Sequence, residues 1–309
     1  MTAGERPRCL IPAAGRGTRL APVTSTVPKE LLPVGTRPML QWCLTEALEA
    51  GFLDIAVVTS DAKPLVADWV RSGAWREGLL ERLRPAAERA SVSLVRQERP
   101  AGVVDAVLSA AEWIEEGVAF AVLLPDNVRI AGPPPLTAFH VAEAARDGAV
   151  LVACHRVGPE TAAWYGNVGR AELDERVPAG TRPVVTAIQT RGSGAFRAAP
   201  EGSWRLAPRY TVTEPWVRRA REVAAGTAGG VEADDVDVHL RLLARGALWA
   251  VPWEGTLVDA GHPTGYLRAQ HVLYAAEERS REEAAEGGGG NEPLIGIEVP
   301  GREEPPWRS

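Results

Sequence analysis

Short apolar runs alternate with stretches of helical periodicity through the first half of the chain. Strands are predicted at residues 10–14, 55–59, 92–97, 118–124 and 150–154. Amphipathic helices are predicted between them, at residues 39–50, 63–72, 75–90 and 101–115. Because short strands with little polar alternation need cover on both faces, the pattern predicts a parallel sheet flanked by helices, which is the α/β class.

The alternation is less regular from about residue 149 onward. Residues 165–210 are predicted to form strands and loops, followed by helices at 216–225 and 236–244, a strand at 248–253 and a last helix at 264–286. After residue 286 the chain becomes glycine-rich and then acidic with prolines. Such a composition cannot bury enough apolar surface to offset the entropy of ordering. We therefore expect one domain over residues 1–286 and a flexible tail over residues 287–309.

Composition and charge argue against several classes of function. The 309 residues carry a formal net charge of −6 and no Lys/Arg-rich block, which disfavours a nucleic-acid surface. No apolar run approaches the roughly 20 residues that cross a bilayer, and the first residues lack the apolar core of a signal peptide. The three cysteines, Cys9, Cys43 and Cys154, are far apart in the sequence and lack the spacing of metal ligands. A disulfide framework is therefore not expected, which fits a reducing compartment. We expect a cytoplasmic protein with no nucleic-acid or membrane partner.

The strongest chemical signal lies in residues 9–33. A short strand leads into the glycine turn around Gly15 and Gly17, and Pro28-Lys29-Glu30 follows. Glycine lets a phosphate approach the backbone closely, and the N–H groups of such a turn form an anion-binding nest. Arg19 and Lys29 add the cations that a polyphosphate demands. The third glycine of a dinucleotide fingerprint and the Lys-Ser/Thr end of a Walker loop are absent. The segment therefore indicates a nucleoside triphosphate, and an ordinary turn is the competing interpretation.

Two carboxylates are candidate metal ligands. Asp126 directly follows a predicted strand, and ligands of open α/β sheets bind beyond the carboxyl ends of the strands. A carboxylate there suits Mg²⁺, which prefers oxygen ligands. Asp-Asn is equally good turn chemistry, so a turn cap stays open for Asp126 on these grounds alone. Asp259, close to Gly261, would by itself be interpreted as a turn residue.

The ordered pattern Gly-x-Gly-Thr-Arg-Leu-x-Pro-x-Thr…Val-Pro-Lys-Glu-Leu-Leu-Pro-Val…Arg-Pro-Met-Leu closely resembles the sugar-phosphate nucleotidyltransferases, and among them the bacterial UTP–glucose-1-phosphate uridylyltransferases. The resemblance spans about residues 8–275. It implies a Rossmann-like, mostly parallel mixed sheet of the nucleotide-diphospho-sugar transferase type, Mg²⁺ as cofactor and a homo-oligomer. The implied reaction moves a nucleotidyl group from an NTP, with UTP favoured, to glucose 1-phosphate or a related sugar-like phosphate, and releases pyrophosphate.

The resemblance implies roles for the residues at matching positions. Asp126 matches the metal-binding aspartate, and Asp259 matches the aspartate that completes the metal site. Arg19 would act with Mg²⁺ on the leaving pyrophosphate, and Lys29 on the phosphates at the other side. The implied nucleotide-binding residues are Ala13, Ala14, Gly15, Gly17, Thr18, Gln97 and Gly102. The implied sugar-phosphate-binding residues are Gly166, Gln189 and Arg191. Gln97 alone is equally well interpreted as a surface strand residue.

Two segments depart from the family pattern. Val104 and Asp105 stand where Gly-His is usual, so we expect a branched side chain and a negative charge against the nucleotide, and the base stays open. Gln189 and Thr190 replace a Glu-Lys pair that holds sugar hydroxyls and phosphates, unless a register shift lets Arg191 supply the cation. An enzyme with an altered substrate therefore competes with a non-catalytic homologue that binds nucleotide and regulates a partner enzyme. Retention of both cations and both carboxylates favours the enzyme.

Overall fold

A computed structural model describes residues 6–158, 169–174, 176, 181–190, 202–227 and 232–285. The expected tail at 287–309 lies outside these residues, so the expected domain boundary stays a prediction. Among the helices of the described ranges, none combines the length and the apolar content needed to span a bilayer.

The first half of the chain contains the elements that the apolar pattern predicts, with some differences in extent. In chain order they are β1 (Arg8–Pro12), β2 (Pro33–Val34), β3 (Arg37–Pro38), α1 (Met39–Glu49), β4 (Asp54–Thr59), α2 (Pro64–Ser72), α3 (Arg84–Arg89), β5 (Ser91–Arg96), α4 (Val103–Leu108), α5 (Ala111–Glu115), β6 (Phe120–Leu123), β7 (Asn127–Ala131) and α6 (Ala138–Asp147). The second half contributes β8 (Val150–Val157), β9 (Arg170–Asp174), β10 (Val184–Ile188), β11 (Ser203–Val212), α7 (Glu214–Gly226), α8 (Asp235–Leu243), β12 (Leu248–Trp253), β13 (Thr256–Asp259) and α9 (Pro263–Ala285).

One nine-stranded sheet organises these elements, in the order β5-β4-β1-β6-β11-β8-β12-β10-β9. The block β5-β4-β1-β6 is parallel, and β12 is parallel to β8. Within the described strands of this sheet, only β10 and β11 run against the common direction. This confirms the predicted mixed α/β sheet, in which most strands share one direction.

Helices cover both faces of the sheet, as the strand composition predicts. Leu10 of β1 packs in one core with apolar residues of α4, α7 and α8. Its neighbours Cys9 and Ile11 pack in a second core with α1, α2 and α6. Successive residues of a strand point to opposite faces, so an all-apolar strand requires this double cover.

The structure corrects several predicted extents. The helix predicted at 75–90 is replaced by short 3₁₀ turns followed by α3, because Gly78 takes a φ of 68° between the turns. The helix predicted at 101–115 is divided into α4 and α5, because Ala110 leaves the helical region with a ψ of 47°. The strand predicted at 10–14 begins and ends two residues earlier. The apolar pattern does not predict β7 or α6.

Candidate active site

The glycine turn leaves β1 at the carboxyl edge of the parallel block. Ala13 N still donates to Val58 O at 2.8 Å, which continues the pairing with β4. Ala14 and Gly15 then line a cavity of about 260 Å³. Other sequence-predicted residues on its walls are Arg19, Lys29, Gln97, Gly102 and Asp126. The fold therefore gathers residues from the ends of β1, β5 and β6 around one cavity, as the rule for open α/β sheets predicts.

The other predicted nucleotide-binding residues belong to the same turn but stand back from this cavity. Ala13 is fully buried in the core, and its carbonyl accepts a hydrogen bond from Lys63 Nζ at 3.1 Å. Gly17 accepts a hydrogen bond from Thr24 Oγ1 through its carbonyl, at 2.9 Å, and Thr18 is exposed. A nucleotide-binding role for Ala13, Gly17 and Thr18 stays a prediction.

Asp126 is the centre of charge in the cavity. Lys29 Nζ donates to Asp126 Oδ2 at 2.7 Å, and Arg19 Nη2 lies 3.7 Å from the same oxygen. Burial opposes ionisation of Asp126, but the nearby charges of Lys29 and Arg19 outweigh it and hold the pKa of this carboxyl well below its usual range. Burial also opposes the charged form of Lys29, yet Asp126 and Glu30 raise its pKa. Both groups are therefore ionised at neutral pH.

A second buried ion pair supports the turn that carries Lys29. Lys63 Nζ donates to Glu30 Oε2 at 2.6 Å and to the Ala13 carbonyl, so α2, the lysine turn and the end of β1 are joined at one point. Burial lowers the pKa of Lys63 and raises that of Glu30. The pair joins the Lys29 turn to the glycine turn through side chains that lie outside the cavity.

Asp259 reaches Asp126 through a two-stranded ribbon. The antiparallel strands β7 and β13 place Asp259 opposite Asn127, and Ala260 N donates to the Asp126 carbonyl at 2.7 Å. A Cβ added at Gly261 would lie 2.7 Å from Asp126 Oδ2, 3.0 Å from Asp259 Oδ1 and 3.1 Å from Arg19 Nη2. Both carboxylates therefore face one small space, and only glycine at position 261 leaves it open.

A buried arginine fixes the loop that carries Asp126. Arg209 of β11 donates to both carboxylate oxygens of Glu46, at 2.6 and 2.9 Å. It also donates to the carbonyls of Leu124 and Asn127, on either side of Asp126, at 2.9 and 2.8 Å. The forked geometry of a guanidinium suits this role, because it offers several donors in fixed directions. Glu46 on α1 and the Asp126 loop are thereby held together.

Gln97 forms part of the cavity wall and is 2 % exposed, so the surface-residue interpretation is wrong. Its Nε2 donates to Asp105 Oδ2 at 2.6 Å and to the Gly102 carbonyl at 3.2 Å. Gly102 has a φ of 100°, and a Cβ there would lie 2.5 Å from Ala233 O. Glycine is therefore required where this loop meets the 232–235 segment.

The expectation that Val104 lies against the nucleotide is wrong. Val104 is fully buried in the core on the α4 side of the sheet and is not among the described residues that line the cavity. The neighbouring Asp105 faces Gln97 instead. Consecutive helix residues point about 100° apart, so Val104 enters the core while Asp105 turns toward Gln97. Asp105 itself is also not among the described residues that line the cavity.

Of the three residues predicted to bind the sugar phosphate, the structure describes only Gln189. Gly166 and Arg191 lie outside the described residues. Gln189 follows β10, is exposed and does not line the cavity of about 260 Å³. Its role stays a prediction.

A smaller cavity, of about 100 Å³, adjoins the first one at Asp126. It is lined by Arg19, Asp126 and Asp259. It is also lined by residues that the sequence motifs do not single out, namely Arg205, Asp235 and His239. The sequence signal for Asp235 is the acidic pair Asp234-Asp235 at the start of α8, where Asp234 Oδ1 caps the helix by accepting from Val236 N at 3.2 Å. Arg205 and His239 lie inside ordinary strand and helix patterns.

The family model described as "Nucleotidyl transferase" matches residues 8–178, which is more than half of the chain and includes the glycine turn, Lys29, Gln97 and Asp126. The chain belongs to the nucleotidyl transferase family. This confirms the family resemblance of the sequence motifs, and the protein is a sugar-phosphate nucleotidyltransferase.

Relatives of this nucleotidyl transferase cover nearly its whole length. It is 29 % identical over 279 residues to the UTP–glucose-1-phosphate uridylyltransferase of Bacillus subtilis, which covers 84 % of this chain and 88 % of the relative. It is 28 % identical to the enzyme of the same name from Pseudomonas aeruginosa, over 86 % of this chain and 95 % of the relative.

Solved structures of similar proteins have the same fold as this chain. A UDP-glucose pyrophosphorylase complexed with UDP-glucose superposes with a TM-score of 0.66 at 27 % identity, covering 88 % of this chain and 99 % of that one. A UTP-bound UGPase from Acinetobacter baumannii, at 22 % identity, has a TM-score of 0.64 and supports the fold.

The paired carboxylates of this nucleotidyl transferase fit a divalent cation. Mg²⁺ is usually held by one or two carboxylates, with substrate phosphates and water completing its shell. Asp126 and Asp259 supply two such groups around the space that Gly261 leaves open. Asn127 Nδ2 donates to Asp126 Oδ1 at 3.1 Å and Gly261 N donates to Asp259 Oδ1 at 2.9 Å, so both carboxylates are oriented.

Proposed function

We propose that this nucleotidyl transferase moves the uridylyl group of UTP to glucose 1-phosphate or a closely related sugar 1-phosphate, with Mg²⁺ as cofactor. The observation that carries the proposal is the convergence of Lys29, Arg19, Asp126 and Asp259 beside the glycine turn. The names of the Bacillus and Pseudomonas relatives favour UTP and glucose 1-phosphate as the pair.

The reaction is an in-line displacement at the α-phosphorus. A phosphate oxygen of the sugar 1-phosphate forms a bond to the α-phosphorus, the bond to the bridging oxygen of the β-phosphate breaks, and pyrophosphate leaves with that electron pair. The attacking phosphate is already anionic, so the step requires no general base. Catalysis then consists of positioning the reactants and neutralising charge on the phosphoryl groups.

The chain's own residues supply both of these contributions. The backbone of Ala14 and Gly15 lies at the cavity wall, where it can receive phosphate oxygens. Lys29 is held against Asp126 inside the cavity, and Arg19, with its side chain half exposed, reaches from the solvent side. Bound between Asp126 and Asp259, Mg²⁺ would neutralise phosphate oxygens. Gln97 and Gly102 lie on the wall that would receive the base.

A substrate panel tests this proposal. Pyrophosphate release is measured with Mg²⁺ for ATP, GTP, CTP, UTP and dTTP, each paired with several sugar 1-phosphates and with a sample lacking the acceptor. We expect the largest kcat/KM for UTP with glucose 1-phosphate or a close stereoisomer, and no release without the acceptor. A higher kcat/KM with another base, or UTP binding without turnover of any pair, would contradict the proposal.

A further inference from the structure

The contact between Gln97 and Asp105 restricts what Gln97 can offer to a ligand. The backbone N–H of Gln97 donates to Thr59 O at 2.8 Å, which fixes the residue at the end of β5. Its side chain reaches α4, where Nε2 donates to Asp105 Oδ2 at 2.6 Å and to the Gly102 carbonyl at 3.2 Å. The residue is 2 % exposed and lies on the cavity wall.

The chemistry of the partners dictates which end of the amide they contact. A carboxylate and a carbonyl only accept hydrogen bonds, so both must be served by the Nε2 end of Gln97. The two Nε2 hydrogens are thus engaged by Asp105 and Gly102. The remaining polar atom of the side chain is Oε1, which only accepts. Turning the amide over would place Oε1 against a carboxylate and a carbonyl, which is electrostatically unfavourable.

We propose that Asp105 is a positioning residue that fixes the Gln97 amide, so that Gln97 presents Oε1 to the nucleotide base and selects bases with an N–H at that position. This inference rests on the proposed function and names a determinant of its base preference. Uracil presents N3–H, which can donate to Oε1. Cytosine has an unprotonated N3 there, which would face Oε1 as a second acceptor.

A purely structural role for Asp105 makes a different prediction. Asp105 lies in the first turn of α4, where a negative charge interacts favourably with the helix dipole. If that were its whole contribution, its substitution would lower the stability of the protein and change kcat/KM for all nucleotides by the same factor. If Asp105 fixes the amide, its substitution changes the preference between bases. The ratio of kcat/KM values for UTP and CTP therefore separates the two roles.

The test compares Asp105→Asn with wild type. Asparagine offers an N–H as well as a C=O, so the Gln97 amide can then adopt either orientation. We expect the UTP:CTP ratio of kcat/KM to fall about tenfold, as loss of a hydrogen bond to a charged group implies. The loss should appear in KM for UTP, with kcat nearly unchanged, because the base is remote from the reacting phosphorus. Glu112→Gln, the same chemical change at an exposed residue of α5, is the matched control and should leave the ratio unchanged.

A reciprocal exchange gives an independent test. Gln97→Glu places two carboxylates side by side and should lower kcat/KM for UTP by more than about tenfold. In the double variant Gln97→Glu/Asp105→Asn, the introduced asparagine amide can donate to the introduced carboxylate, which again faces the base with an acceptor. We expect the double variant to recover the UTP:CTP ratio and most of the activity.

Wild-type enzyme provides a measurement that depends on no variant. UTP methylated at N3 lacks the N–H, whereas UTP methylated at C5 keeps it. We expect N3 methylation to raise KM about tenfold or more, and C5 methylation to change it far less. Equal effects of the two methyl groups would overturn the proposal, as would an Asp105→Asn enzyme whose UTP:CTP ratio stays within about twofold of wild type.

The proposed function and this inference fail in different ways. Absence of uridylyl transfer by the wild type overturns the proposed function, and calorimetric binding of UTP and CTP to wild type and Asp105→Asn then still reports the base preference. Normal uridylyl transfer with an unchanged base preference overturns only the role of Asp105.

Discussion

Lys29 and Asp126 illustrate what single residues reveal before any fold is known. Both are predictable from the sequence because their chemistry is local: a lysine after a glycine turn, and a carboxylate at the end of a strand. The contact between them, at 2.7 Å, depends on β1 and β6 being neighbours in the sheet. Asp105 illustrates the limit, since the sequence predicts its charge near the nucleotide but does not predict its partner, Gln97.

Two buried histidines make the stability of the protein depend on pH. Burial lowers the pKa of His239 to about 4, and it lowers the pKa of His155 in the same direction. An unfolded histidine has a pKa of about 6.5. Between these values the unfolded chain binds a proton that the native chain does not, so the free energy of unfolding falls as the pH falls.

Replacement of His239 should weaken this pH dependence. We expect the free energy of unfolding of wild type to fall between pH 7 and pH 5, and His239→Leu to lose about 1–2 kcal/mol less over the same interval. Urea unfolding at several pH values measures this difference. Between pH 7 and pH 8 the two proteins should show the same slope, and parallel curves from pH 7 to pH 5 would contradict the assignment.

At the scale of elements, the apolar pattern predicts the parallel block well and the ribbon poorly. Strands β4, β5 and β6 lie between helices and are evident as apolar runs. Strand β7 lies outside the main sheet and pairs only with β13 among the described strands. Its first residue, Asn127, belongs to a Pro-Asp-Asn segment with good turn chemistry. The local pattern of apolar residues therefore could not predict the two-stranded ribbon that brings Asp259 to Asp126.

Arg209 connects three elements, and its loss should disturb the site as well as the fold. Removal of one partner of a buried ion pair leaves an unpaired charge, so we expect Arg209→Met to lower the free energy of unfolding by about 3–5 kcal/mol. We also expect kcat to fall in whatever protein remains folded, because the carbonyls on both sides of Asp126 lose a donor.

A matched exposed pair serves as the control for Arg209. Arg146 also contacts a carboxylate through two donors, at Asp147, but both side chains are largely exposed. Arg146→Met should leave the urea midpoint and kcat nearly unchanged, since exposed ion pairs contribute little. Equal losses of stability and kcat in the two variants would show that the effect of Arg209 does not depend on its burial.

At the scale of the whole molecule, the carboxyl edge of the parallel block determines where the chemistry occurs. Strands β1, β6 and β5 end there, followed by the glycine turn, Asp126 and Gln97 respectively. This convergence follows from strand direction and is predictable from the sequence. The placement of the antiparallel β11, which inserts between β6 and β8 and carries Arg205 and Arg209, is not, because nothing in its local sequence specifies its neighbours.

We propose that Asp126 and Asp259 form one Mg²⁺-dependent centre for nucleotidyl transfer. The most direct test is the rate of pyrophosphate release from UTP and glucose 1-phosphate, measured against Mg²⁺ concentration in wild type, Asp126→Asn and Asp259→Asn, with the exposed Asp147→Asn as control. We expect release to require Mg²⁺, both site variants to lose at least about 100-fold in kcat, and the control to behave as wild type. A near-normal rate and Mg²⁺ dependence in either site variant would contradict this proposal.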